Sequence, residues 1–106
     1  MALSVVARAK SKPGCENELL QAFQEAVHHT HQEKGCQKYA LHQDMGDPST
    51  FIMIEKWDSA ADLNQHLQSP HIQTLFAKLP KLIVGEPEIL KLNSIAAGGD
   101  EKKGSL

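Results

Sequence analysis

At the start of the chain Leu3, Val5, Ala7 and Ala9 stand two residues apart, with Ser4, Arg8 and Lys10 among the positions between them. A period of two places alternate side chains on opposite faces of a pleated backbone, so 3–10 is predicted to be a strand, which Pro13-Gly14 ends. From Cys15 to Lys34 the pattern changes. Leu19, Leu20, Phe23, Ala26 and Val27 share one stripe at helical spacing, while Glu16, Glu18, Gln24 and Glu25 lie mostly elsewhere. Gly35 supplies a stop for that helix. Cys36–Asp44 and Thr50–Trp57 then read as two strands, joined across Met45-Gly-Asp-Pro-Ser49, a cluster that favours a turn. Ser59-Ala-Ala-Asp62 has the form of a capping box with Asp in the last place, so a helix is expected through Leu63 and Leu67. Ser69 is suited to cap a further helix with Pro70 in its first turn. Ile72, Leu75, Phe76 and Leu79 give that helix an apolar face, and Pro80 is expected to kink or end it. Ile89–Asn93 reads as a last short strand.

The order strand, helix, strand, strand, helix, strand is the split arrangement of ferredoxin-like α+β folds, with helices packed on one face of a four-stranded antiparallel sheet. The third strand is apolar on both faces, with Phe51, Met53 and Trp57 on one and Ile52 and Ile54 on the other. At about 25 cal/mol per Å², leaving such side chains in water forfeits several kcal/mol, so a homodimer with its sheets face to face is expected. Residues 1–95 read as one domain. Residues 96–106, small and charged, read as a flexible tail.

Composition narrows the function classes. A chain of 106 residues is about one domain. Its net charge of −2, without a basic stripe, gives no electrostatic reason to bind nucleic acid. No apolar run approaches the roughly 20 residues of a membrane span, and the amino terminus lacks the form of a secretory signal, so a cytoplasmic protein is expected. Cys15 and Cys36 form no CxxC pair and are expected to be reduced thiols, although Cys15 near a helix start leaves a reactive thiol open.

Four phrases, VVARAKSKPG, GCQKYALH, DPSTFIMIEKWDS and HLQSPHIQTLFAKL, stand in an order and spacing that resembles the antibiotic biosynthesis monooxygenase (ABM) domain family, over about Leu3–Leu92. The resemblance implies a dimeric α+β barrel with a ligand cavity between helices and sheet in each subunit. It also implies a small-molecule enzyme. The family includes oxygenases that attack quinols or polyketide phenols without metal or flavin, haem-degrading oxygenases, and an isomerase of a phosphorylated sugar. Haem cleavage fits poorly. The first strand lacks the Asn of that branch, His66 stands near its Trp, and Phe76 stands near its ligating His.

The residues themselves offer one leading chemical candidate. His66, three positions after Leu63 and one before Leu67, falls at the edge of a buried helix face, where a neutral imidazole can take a proton from a phenol or enol. A histidine bonded only to backbone is the alternative. His71 lies in the first turn of the next helix, where the dipole disfavours its protonation. It is a candidate substrate contact or a solvent-facing side chain. Trp57 and Tyr39, each unique in the chain, and Phe51 and Phe76 are candidates to line a cavity, with plain core packing as the other reading. His28, His29 and His31 lack the converging partners of a zinc site, so no metal is expected. Arg8 and Lys10 on the first strand are candidates to hold an anionic substrate, with solvated strand charges as the commoner reading. The expected activity is a cofactor-independent monooxygenase acting with dioxygen on a quinol-like or polycyclic phenol. His66 is its catalytic base, and His71, Trp57, Tyr39, Phe51 and Phe76 are its substrate contacts. An isomerase of a small, optionally phosphorylated hydroxyketone and a non-catalytic ligand-binding dimer are the alternatives.

Overall fold

The computed structural model describes residues 2–106. The elements run β1 (Leu3–Lys10), α1 (Glu16–Thr30), β2 (Cys36–Asp44), β3 (Asp47–Trp57), α2 (Ala60–Leu67), α3 (Pro70–Leu82), β4 (Glu88–Leu92) and a single exposed turn, α4 (Glu101–Gly104). The strands form one antiparallel sheet in the order β2-β3-β1-β4. This is the ferredoxin-like α+β arrangement. Val5, Ala9, Tyr39, Phe51, Met53 and Trp57 on one sheet face pack with Leu19, Phe23, Leu63, Ile72, Leu75 and Leu79 of the helices to make the core.

Four boundaries differ from the sequence reading, each for a local reason. The first helix ends at Thr30 rather than Lys34, because Gln32 N–H and Glu33 N–H donate to His29 and Thr30 in tight turns that leave the helical path. The turn between β2 and β3 is only Met45-Gly46, and β3 begins at Asp47 rather than Thr50. The Asp47 carboxylate accepts from Ser49 N–H, Ser49 Oγ and Thr50 Oγ1, which organises that end of the strand. Those bonds hold its carboxyl well below the usual carboxylate range. Pro80 does not end α3, which continues to Leu82, because buried Leu79, Leu82 and Ile83 anchor its last turn. The last strand is Glu88–Leu92, one residue earlier than Ile89–Asn93.

The expected caps also separate. Ser59 Oγ accepts from Asp62 N–H at 3.1 Å and donates to the Asp62 carboxylate at 2.9 Å, a closed variant of the capping box. Ser69 makes no such cap, since its hydroxyl donates back to the His66 carbonyl at 2.6 Å and joins α2 to α3.

On the other sheet face, Ala40, Ile54, Val6 and Leu90 stand in register across all four strands. Lys38, Lys56, Ser4 and Leu92 run along one side of this apolar row, and His42, Ile52, Arg8 and Glu88 along the other. Leu90 is 48% exposed. No helix among the described residues is long and apolar enough to cross a membrane.

Gly35 sets how closely the turn after α1 approaches α2. Its φ is +83°, and a Cβ there would lie 2.3 Å from Asp62 Cγ. Gly35→Ala is therefore expected to destabilise the protein by about 1–3 kcal/mol, read as a fall of several degrees in Tm on thermal unfolding.

Candidate active site

The two tight turns that end α1 carry Glu33 back against the start of the α2–α3 corner. Its carboxylate then meets two imidazoles at once: Oε2 lies 2.6 Å from His66 Nδ1 and Oε1 lies 3.1 Å from His71 Nε2. A carboxylate only accepts, so each ring nitrogen facing it is the N–H donor. His71 Nε2 also has Thr30 Oγ1 at 3.2 Å and Ser69 Oγ at 3.4 Å. With Nδ1 committed to Glu33, neutral His66 keeps its lone pair on Nε2. No enclosed side-chain nitrogen or oxygen among the described residues lacks a hydrogen-bond partner. Nε2 has none, and so it borders open space.

That space is a cavity of about 60 Å³ between the sheet and the helices. Its wall is mostly apolar, with Val5, Phe51, Met53, Ile72 and Leu75 among the residues that form it, and His66, Tyr39, Glu55 and Arg8 are the polar residues that line it away from β4. Its mouth lies toward β4, where Ile89 and Lys91 line it and are themselves exposed. His66 is 3% exposed and packs against Trp57 at a ring separation of 4.5 Å and Tyr39 at 5.1 Å. Burial lowers its pKa, against the opposing pull of Glu33, and favours the neutral, proton-accepting ring.

The candidates named from sequence divide into two groups. His66, Tyr39, Phe51 and Phe76 line the cavity. Trp57 and His71 are not among its lining residues: Trp57 stands behind His66, fully buried, and His71 faces Glu33. The phenol of Tyr39 is held well above its ordinary pKa by burial and by the negative Glu55 and Glu33, so it acts as a hydrogen-bond group rather than a phenolate. Cys36 is pushed up to about 11 by burial and neighbouring carboxylates, which makes it a poor nucleophile.

Two carboxylates escaped the sequence reading. Glu33 reaches the site through the tight turns that follow α1, and no local pattern marks it. Glu55 had a signal: it shares the period-two face of Phe51, Met53 and Trp57. It is 5% exposed, accepts from Trp57 Nε1 at 2.9 Å, and is pushed up to about 7 chiefly by burial. Ligating atoms of Glu33, His66 and His71 all lie within 4.8 Å of one another, a set from which a metal site can be built. The 2.6 Å approach of His66 to Glu33 is, however, that of a charge-assisted hydrogen bond.

Three comparisons bear on this site. The model of the family described as "Antibiotic biosynthesis monooxygenase" matches residues 2–78. The Bacillus subtilis protein named "Putative monooxygenase YcnE" is 32% identical over 77% of this chain and 86% of its own length. The Escherichia coli K12 protein named "Probable quinol monooxygenase YgiN" is 33% identical, over 67% of this chain and 78% of its own. A conserved protein of Methanosarcina mazei Go1, known from its crystal structure, superposes with a TM-score of 0.83 at 29% identity, covering 87% of this chain and 91% of that one.

Glu55 and His66 have opposite effects on stability as pH changes. The folded state raises the Glu55 pKa from 4.5 to about 7, so it binds the proton more tightly than the unfolded chain, and this contribution is lost as pH rises through that window. His66 is lowered from 6.5, so its contribution is lost as pH falls below the unfolded value. Glu55→Gln is expected to abolish the first trend and expose the second. Chemical denaturation between pH 4.5 and 8 should then show stability falling on acidification more steeply than in the wild type, by an amount on the order of 3 kcal/mol.

Proposed function

The chain belongs to the antibiotic biosynthesis monooxygenase family, and on that premise we propose that it is a monooxygenase that oxidises a single-ring quinol or phenol with dioxygen. The observation that carries this reading is His66, buried at an apolar cavity with Nδ1 anchored by a carboxylate and Nε2 left open as a base. The cavity's 60 Å³ is small beside the roughly 300–1,000 Å³ of pockets for drug-sized ligands and beside the roughly 150 Å³ that holds benzene, so any ring must widen it at the mouth, and a single ring requires less widening than a polycycle.

In the proposed reaction His66 Nε2 takes the phenolic proton, and Glu33 stabilises the imidazolium that results. The electron-rich phenolate passes one electron to dioxygen, and the radical pair recombines at a ring carbon to give a hydroperoxide. Loss of water then leaves a quinone. One oxygen atom enters the ring, and the other departs with the phenolic hydrogen and the hydrogen of the attacked carbon. The substrate is the reductant. The protein supplies the base, the orientation and an apolar enclosure that limits escape of the radicals.

The apolar row Ala40, Ile54, Val6 and Leu90 supports a homodimer in which two such faces cover each other. Ile54→Glu places a charge at the centre of that row and is expected to shift the protein from dimer to monomer in sedimentation velocity. An unchanged sedimentation coefficient across micromolar concentrations, equal to that of a monomer in both proteins, defeats the dimer.

Oxygen consumption tests the activity, using chelator-treated protein with hydroquinones and phenols against their autoxidation blank. Wild-type uptake above blank is expected, with His66→Gln lowering it by about 10²–10⁴-fold. Proton exchange into the substrate without oxygen uptake would favour an isomerase instead, and absence of both would leave a binding protein.

A further inference from the structure

The strongest feature that this reading leaves unused is a carboxyl group built into the cavity wall. Glu55 lies mid-strand in β3, in the inner-face row Tyr39, Glu55, Val5 and Lys91. An ionisable group at 5% exposure is costly unless it is paired. Glu55 makes no ion pair within 4.0 Å among the described residues, and its one hydrogen bond joins Oε1 to Trp57 Nε1 at 2.9 Å. The groups around it are Tyr39 and Cys36 from β2, Glu33 from the turn after α1, His66 from α2 and Lys91 from β4. β1 places Val5 directly beside it and also contributes the charged Arg8 to the cavity lining. Lys91 stands two strands away, about 10 Å at ordinary strand spacing, and at the mouth.

Oε2 therefore has no protein partner, yet no enclosed polar side-chain atom is left unsatisfied. It must border the cavity. Accepting a bond from Trp57 accounts for Oε1 alone. A Gln would serve that purpose without the cost of a buried acid, so the packing role does not explain the open oxygen.

We propose that Glu55 is a specificity-determining residue that hydrogen-bonds the second oxygen of a dihydroxybenzene ligand while His66 engages the first. This rests on the phenol-oxidising reading of the cavity. Trp57 touches both partners, donating to Glu55 and packing on the His66 ring, so it holds the two polar groups on one wall. Phe51, Met53, Ile72 and Leu75 offer the rest of the ring only apolar contact. A monophenol satisfies His66 and leaves Oε2 bare, whereas a dihydroxybenzene satisfies both. The upward displacement of the Glu55 pKa to about 7 makes the carboxyl a donor below neutrality and an acceptor above it.

Trp57, the sole tryptophan, provides the readout. Its fluorescence is titrated under anaerobic conditions with hydroquinone and with phenol, for wild type, Glu55→Met and Glu55→Gln, between pH 6 and 8. Wild type is expected to prefer hydroquinone. Glu55→Met is expected to weaken hydroquinone by roughly tenfold, the value of one hydrogen bond, and to leave phenol within about twofold. Glu55→Gln is expected to keep most of the hydroquinone affinity while losing its pH dependence. Equal effects of Glu55→Met on both ligands, or none, overturn the proposal while leaving the phenol-binding cavity intact. If wild type binds neither compound, the phenol reading fails, and this inference fails with it. Should Glu55→Met not fold, Glu55→Gln decides alone: hydroquinone binding with the wild-type pH dependence overturns the role assigned to Glu55.

Discussion

One carboxylate joins three segments of the chain at a single point. Glu33 sits in the turn after α1 and receives an imidazole N–H from α2 on one oxygen and from α3 on the other. Because it accepts from both, it fixes the corner between those helices and the tautomer of the ring that faces the cavity. A neutral acceptor would orient His66 as well, but without charge to stabilise the imidazolium. The contact depends in turn on backbone geometry. Tight turns after α1 bring Glu33 back toward the pair, and the left-handed Gly35 that follows lets the backbone lie against Asp62 of α2.

This dependence explains why the fold was far more legible than the site. Alternation in 3–10 and 51–57, the helical stripe through Leu19, Phe23 and Ala26, and the Ser59–Asp62 cap are local signals, and local geometry obeys them. Where a boundary moved, tertiary packing had overruled a local rule. Pro80 stays helical because the leucines around it are buried, and α1 stops early because the turn must begin before Gly35. His66 was legible because helical spacing put it beside Leu63 and Leu67. Glu33 was not, since its partners lie 33 and 38 residues away. Glu55 is a different case: the period that buries Phe51, Met53 and Trp57 buries it too, and an acid at such a position is itself a functional signal.

His71 and Trp57 show how far residue type alone carries. Both have side chains suited to a ligand, yet the cavity lining does not include them. Trp57 is fully buried, filling the space behind His66 and donating to Glu55, and His71 faces the second carboxylate oxygen of Glu33. They pack behind His66, a place set by three-dimensional neighbours.

β4 has only five residues and pairs on one side alone, and its side chains alternate between two tasks. Ile89 and Lys91 frame the cavity mouth, while Leu90 and Leu92 face the opposite side of the sheet. A strand this short cannot shift one set without shifting the other. Whatever covers Leu90 and Leu92 therefore rests on the same stretch of backbone that carries Ile89 and Lys91 at the mouth, so two surfaces on opposite sides of the sheet share one edge strand.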